Sequence, residues 1–122
     1  MSRYFRDSVK SAEANPCLVT GKFSLSAAAA VTSTDMLKVT SVTKTGTGTY
    51  MLTLSDTYNS LRCAQVNHVG TQADTIAKAT AHDVSGAKTI SIRTETAGVA
   101  ADVATACEIH VSLVLRNSSV TK

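Results

Sequence analysis

Three histidines and three cysteines are the first side chains to consider for chemistry, and the histidines together with Cys63 and Cys107 could in principle converge on a metal ion. They are widely separated, as His68, His82 and His110 and as Cys17, Cys63 and Cys107. No two of them stand at a standard ligand spacing such as HxH or CxxC, so we expect no metal site. The cysteines are most simply buried thiols of a protein in a reducing compartment, and a disulfide between Cys63 and Cys107 is the alternative.

A second candidate for chemistry is Gly46-Thr47-Gly48, whose backbone amides could cradle a phosphate. A phosphate-binding loop needs further glycines and a helix after it, whereas a β-rich run follows here. The segment Thr45–Thr49 is therefore predicted to be the connection of a β-hairpin with a longer turn.

The carboxylates do not form an obvious acid–base pair. Glu108 and His110 share one face of a predicted strand, and this suits its solvent-facing side, with Ile109, Val111 and Leu113 pointing inward. Asx turns and capping account for the aspartates in turn-like contexts, which are Asp35, Asp56, Asp74, Asp83 and Asp102. We predict a protein that is not an enzyme, with no catalytic residue and no cofactor. A metal-dependent hydrolase using one of the histidines is the enzyme alternative.

The elements that would position these side chains are β-strands. Apolar and polar residues alternate in 49–54 and 108–113, and Val19, Gly21, Phe23 and Leu25 share one face of an early strand. Connectors containing Gly or Asp separate the runs. The predicted strands are 18–25, 37–43, 50–54, 62–69, 75–81, 89–96 and 107–115, with 27–30 a short helix or a loose connection and 55–59 a turn or a one-turn helix.

Short strands at close spacing leave no room for the helical crossovers of parallel sheets. They predict an all-β fold, an antiparallel β-sandwich of the jelly-roll type. The 122 residues fit one domain. We divide them into an N-terminal arm, residues 1–16, which ends at the only proline, and a sandwich domain, residues 17–122. Aromatic residues make up only 4% of the chain, so small side chains fill the core and oligomerisation would bury further surface.

The charge of the chain and the length of its apolar runs argue against two classes of partner, nucleic acids and membranes. The net charge of +3 is dispersed, without the clustered basic face and stacking aromatics of nucleic-acid binders. The start of the chain has no apolar core of signal-peptide length, and the longest apolar run, Ala27–Val31, is too short to cross a bilayer. We expect neither nucleic acid nor a membrane as partner, and a chain that stays in a cytoplasm or assembles there into something larger.

The arm carries the candidate partner-binding residues. Tyr4 and Phe5 are two of the five aromatic residues, and Arg3 and Arg6 flank them. Aromatic and arginine side chains are the usual anchors of protein interfaces, so these four residues could dock on a neighbouring subunit. The alternative is a frayed terminus, or an arm folded back onto its own core.

Lys44–Tyr58, with the sequence KTGTGTYMLTLSDTY, resembles a hairpin found in small structural proteins of tailed bacteriophages, where a series of Thr/Ala-rich strands follows it. The segment Asp102–Asn117 is similar to the closing strand of such proteins, and the resemblance spans about residues 17–119. It implies a decoration or cement protein on the capsid surface of a virion, a jelly-roll-like homotrimer at local three-fold positions that binds the major capsid protein. It transfers no catalytic residue.

A tail- or fibre-associated adhesion or adaptor module is the alternative function. Such a module would use the same sandwich to bind a host receptor, a glycan or another tail protein. Sugar rings stack on exposed aromatic side chains, and once Phe23 is assigned to the core the chain offers Tyr4, Phe5, Tyr50 and Tyr58 for that purpose.

Overall fold

The computed structural model describes residues 16–116, which form nine β-strands and no helix. The strands are β1 (Pro16–Leu25), β2 (Val31–Met36), β3 (Val39–Gly46), β4 (Thr49–Leu54), β5 (Ser60–Val69), β6 (Thr75–Asp83), β7 (Thr89–Thr96), β8 (Val99–Ala100) and β9 (Cys107–Arg116). Pro16, placed at the end of the arm by prediction, is the first residue of β1. The rest of the arm lies outside the described residues.

Two antiparallel sheets pack face to face, which confirms the predicted β-sandwich. The first sheet has the strand order β2-β1-β9-β5, and the second has the order β3-β4-β7-β6, with β8 also paired to β7. The jelly-roll form is not confirmed. Consecutive strands β1 and β2 pair inside the first sheet, and β3 and β4 pair inside the second, rather than alternating between the two sheets.

The core lies between the sheets and follows the alternation of the sequence. In β9 the buried side chains are Cys107, Ile109, Val111, Leu113 and Leu115, as predicted for its inward face. They are part of the same core cluster as the buried residues of the second sheet, Tyr50, Leu52 and Leu54 of β4 and Ile90 and Ile92 of β7. Each fully buried Leu or Ile stabilises the fold by about 1.5–3 kcal/mol, so this alternation is what holds the two sheets together.

Most of the strand predictions are confirmed. The two-residue strand β8 was not predicted, and the main error lies in 27–43. There the structure has two strands, β2 and β3, joined by a turn at Leu37–Lys38, where prediction placed a loose connection and one strand. The physical reason is that Thr32 to Asp35 in β2 are all exposed, so the strand carries no apolar alternation. The predicted hairpin at Thr45–Thr49 is present, but its turn consists of only Thr47 and Gly48.

The two sheets differ in how completely their strands are flanked. In the second sheet, β4 pairs with Thr89–Arg93 of β7, and β8 continues beside Glu95 and Thr96 on the same side. In the first sheet, β9 pairs with β1 over its whole length, but β2 reaches only Gly21–Leu25. On that side, residues 16–20 have no neighbouring strand within the described part of the chain. We call this stretch the open edge of β1.

Candidate functional site

The outer face of the first sheet forms a shallow polar groove across all four strands. Register places Asp35, Lys22, His110 and Asn67 in one row, from β2 through β1 and β9 to β5. The groove has a volume of about 390 Å³. Its polar lining side chains are Thr20, Lys22, Asp35, Gln65, Asn67, His110 and Ser112. Amide, hydroxyl and charged groups on a flat sheet suit contact with a polar partner surface.

Glu108 is at the centre of the charged part of this face. Its carboxylate lies 2.9 Å from Lys22 Nζ and 3.1 Å from His110 Nε2. The hydrogen bonds with His110 and then Lys22 lower the pKa of Glu108, and the hydrogen bond to Glu108 raises the pKa of Lys22. The predicted shared outward face of Glu108 and His110 is therefore confirmed. A carboxylate held in its ionised form accepts hydrogen bonds but is a poor general acid.

On the outer face of the second sheet, Glu95 forms a second ionic cluster. Arg93 Nε lies 2.8 Å and Lys78 Nζ 3.0 Å from the Glu95 carboxylate, which is only 5% exposed. The two cations are partly exposed and cover the carboxylate. Two cations share one carboxylate here, so the cluster leaves an excess of positive charge at the surface of the sheet.

The Gly46-Thr47-Gly48 stretch does not form a phosphate cradle. The Gly48 amide donates a hydrogen bond of 2.7 Å to Asp102, and Lys44 Nζ lies 3.1 Å from the same carboxylate. The Gly48 carbonyl accepts from the backbone N–H of Thr94 at 2.7 Å. These contacts lower the pKa of Asp102, the Gly48 hydrogen bond having the largest effect. The groups that could bind an anion are thus used to fasten the hairpin to the loop after β8.

The histidines and cysteines are placed apart. His68 is half-buried on β5, and His82 is exposed on β6 of the other sheet. Within residues 16–116 no group of three or more His, Cys, Asp or Glu side chains could hold a metal ion. The three cysteines are free thiols. Cys107 is buried as predicted, but Cys63 is exposed, because it follows a bulge on edge strand β5 and points outward.

Two aromatic residues considered available for sugar binding are not on the surface. Tyr50 is buried against Phe23, with ring centroids 5.8 Å apart, and its hydroxyl donates to the carbonyl of Ala29 at 2.8 Å. Tyr58 is buried beside Cys17. The expectation that both tyrosines could stack on a ligand is therefore wrong. The proposed anchors Arg3, Tyr4, Phe5 and Arg6 lie outside the described residues.

Sequence reasoning missed both ionic arrangements of the second sheet. Arg93 and Glu95 are two residues apart on one strand, and this spacing could have indicated their pairing. Lys44 and Asp102 are separated by 58 positions, and no local pattern connects them.

Comparison of the chain with models of known protein families, with curated proteins and with solved structures found no match in any of the three. No helix among residues 16–116 is long and apolar enough to cross a membrane.

Proposed function

We propose that this chain is a non-enzymatic structural protein of a tailed-phage virion, a decoration or cement protein. It would bind the outside of the capsid and reinforce contacts between major capsid subunits, after assembly in the host cytoplasm. The proposal starts from the resemblance of Lys44–Tyr58 to a hairpin of such proteins. Support comes from the contacts of this segment, since Gly48 and Lys44 both bind the Asp102 carboxylate and so hold the hairpin against the loop after β8.

One observation carries the proposal furthest, namely the composition of the outer face of the second sheet. Register and burial place short hydroxyl side chains there on β3, β4 and β7, where they surround Met51 and border the Arg93–Glu95 pair. They are Ser41, Thr43, Thr49, Thr53, Thr89 and Ser91. Short or β-branched side chains lose little rotamer entropy when they become fixed in an interface. A broad, flat, hydroxyl-rich face is suited to association between copies, and we propose that a homotrimer forms through it.

The N-terminal arm would provide the contact with the capsid. In this proposal the part of the arm before Pro16 reaches the major capsid protein, with Arg3, Tyr4, Phe5 and Arg6 as anchors. Ordering such a segment costs roughly 1–2 kcal/mol for each residue fixed. The anchor side chains must therefore bury enough surface against the capsid protein to offset this loss of conformational entropy. Neither nucleic acid nor a membrane is part of this function.

The first experiment separates self-association from capsid binding. Native mass spectrometry of the purified chain should give a metal-free trimer, and a chain lacking residues 2–15 should remain trimeric but no longer co-sediment with empty capsids of its phage. Normal decoration by the shortened chain would contradict the role of the arm.

A pair of lysine substitutions tests the trimer face. Thr53→Lys puts three positive charges close together on the outer face of the second sheet and should yield monomers. Thr20→Lys, the matched change on the first sheet, should leave the trimer intact. A trimer that survives Thr53→Lys would place the contact elsewhere.

A further inference from the structure

The open edge of β1 is an unfinished position in the first sheet. The strand continues there in regular pairing with β9, from Pro16 opposite Arg116 to Thr20 opposite Ser112. On the other side, β2 pairs no further than Gly21 opposite Met36, and the chain then turns at Leu37–Lys38 towards the second sheet. Unpaired edges of this kind accept a further strand by backbone hydrogen bonding.

Gly21 marks the point where β2 leaves the sheet. A Cβ atom at this position would clash with the backbone carbonyl of Asp35 and would lie 2.6 Å from Met36 Cγ. Glycine therefore permits the close crossing at which β2 departs. Beyond it, in line with β2, the space beside residues 16–20 is free of other strands of the described chain.

Exposed apolar side chains border this space. Leu18, on the open edge, is 67% exposed, and Leu37, in the turn directly after β2, is 83% exposed. They are the two most exposed of the large apolar side chains among residues 16–116. A strand in line with β2 would lie between them and cover part of both, which adds a hydrophobic gain to the backbone hydrogen bonds.

We propose that the segment of residues 8–15 of the same copy folds back and fills this position, with its last residues as the turn and the residues before them as an additional antiparallel strand. This part of the chain adjoins the open edge directly, since Pro16 is its first residue. Fifteen residues precede it in the sequence, and at about 3.4 Å per extended residue they are far longer than the gap. Asn15-Pro16 favours a turn or extended conformation at the point where the chain must reverse.

The six residues after Arg116 are a weaker candidate for the same place. They continue from β9, which already has β1 and β5 on its two sides, so they would have to pass over the end of β1. In contrast, the segment before Pro16 reaches the edge by a simple reversal. Pairing of residues 8–15 with β1 does not depend on the capsid role proposed above.

Amide hydrogen exchange, measured by NMR on the full chain, tests this proposal. Successive amides of a strand point to opposite neighbours, so two of the four amides of Cys17–Thr20 face the open edge. We expect all four to be protected in the native chain. In the full-length double variant Lys10→Pro and Ser11→Pro, two of them should exchange at least tenfold faster, because proline removes an amide donor on each edge of the added strand.

Ser2→Pro with Arg3→Pro is the matched control, and it should leave the exchange of Cys17–Thr20 unchanged. Free exchange of two of these amides in the native chain would overturn the proposal, as would equal protection in the Lys10→Pro and Ser11→Pro variant. An isotope-filtered NOE experiment on mixed labelled and unlabelled copies distinguishes the source of the strand. Contacts between copies would show that a neighbour supplies it and would overturn the assignment to the same copy.

Discussion

Strand β7 in the second sheet and strand β1 in the first each extend beyond one of the strands that pair with them. The uncovered part of β7 is paired by another strand, whereas that of β1 is not paired within residues 16–116. Each has one neighbour that is too short, β4 beside β7 and β2 beside β1. Beside β7 the remaining length is covered by β8, and the region is fastened by Thr94, Gly48 and Asp102. Beside β1 the remaining length is the open edge. A short chain can thus complete one sheet with local contacts and leave the other available for pairing.

Gly48→Ala should have the largest effect on the covered end of β7. Gly48 has a φ of +64°, and a Cβ there would lie 2.7 Å from backbone atoms of Ala101 and 2.8 Å from the Thr94 carbonyl. Because backbone strain and overpacking add, we expect a loss of about 3 kcal/mol or more in the free energy of unfolding, measured by urea denaturation.

Gly98→Ala is the matched control for that substitution. Gly98 also has a positive φ, of +84°, but a Cβ added to it would meet no atom within 4 Å. Only the conformational strain applies, so the loss should be about 1 kcal/mol. Equal losses for the two variants would mean that the hairpin tip and the loop after β8 are not tightly packed.

Asp102→Ala should weaken the same end by about 1 kcal/mol, mainly because the part-buried Gly48 amide loses its charged acceptor. The contact with Lys44 is exposed to solvent and adds little. The pKa of Asp102 is lowered in the fold. Its contribution is therefore present above the unfolded pKa and is lost as the pH falls through the folded pKa. Unfolding curves of the native chain and of Asp102→Ala, measured from neutral to acid pH, should converge at low pH.

Glu108→Gln on the first sheet provides the comparison for Asp102→Ala. Its partners Lys22 and His110 are solvent-exposed side chains, and water screens exposed ion pairs, so the loss should be smaller than that of Asp102→Ala. A loss as large as that of Asp102→Ala would show that the two sheets are held by their ionic contacts to the same degree.

Alkaline titration tests the burial of Tyr50 and Tyr58, whose side chains lie in the core between the two sheets. Burial is the main cause that raises the pKa of Tyr50 and of Tyr58 to about 12. A raised folded pKa means that stability is intact below the unfolded value near 10 and falls as the pH rises towards 12. Each tyrosine should cost up to about 2 kcal/mol at pH 12.

Absorbance of tyrosinate, recorded together with circular dichroism, follows this transition. In Tyr50→Phe and in Tyr58→Phe, one buried hydroxyl is removed, so the loss of stability between pH 10 and 12 should be about half as steep. Ionisation near pH 10 of more than one of the three tyrosines, before the sandwich unfolds, would contradict the burial of Tyr50 and Tyr58.

The sequence predicts the fold class and the central strands because their side chains alternate. Strands β4, β7 and β9 carry buried residues at every second position, and their predicted bounds agree with the structure to within a residue or two. Strand β2 escapes prediction because a strand with two exposed faces carries no such pattern. Its strand conformation depends on pairing with β1, and this is a tertiary property.

The site could be predicted only where a single strand contains it. Glu108 and His110 are predicted correctly on one outer face because they are two residues apart. The addition of Lys22 from β1, and the contact of Lys44 with Asp102, depend on strand order, which the positions of strands along the chain do not supply. The burial of Tyr58, in a polar segment that looks like a surface turn, has the same origin.

The place of β9 in the first sheet has a consequence for the order in which the protein forms during synthesis. This last strand is inserted between β1 and β5, and the first described residue pairs with the last one. The β3–β4 hairpin can form before β9 is synthesised, but β1 and β5 have no shared neighbour until β9 leaves the ribosome. Since closure of such distant contacts is slow, nascent chains would expose the apolar side of β1 until then.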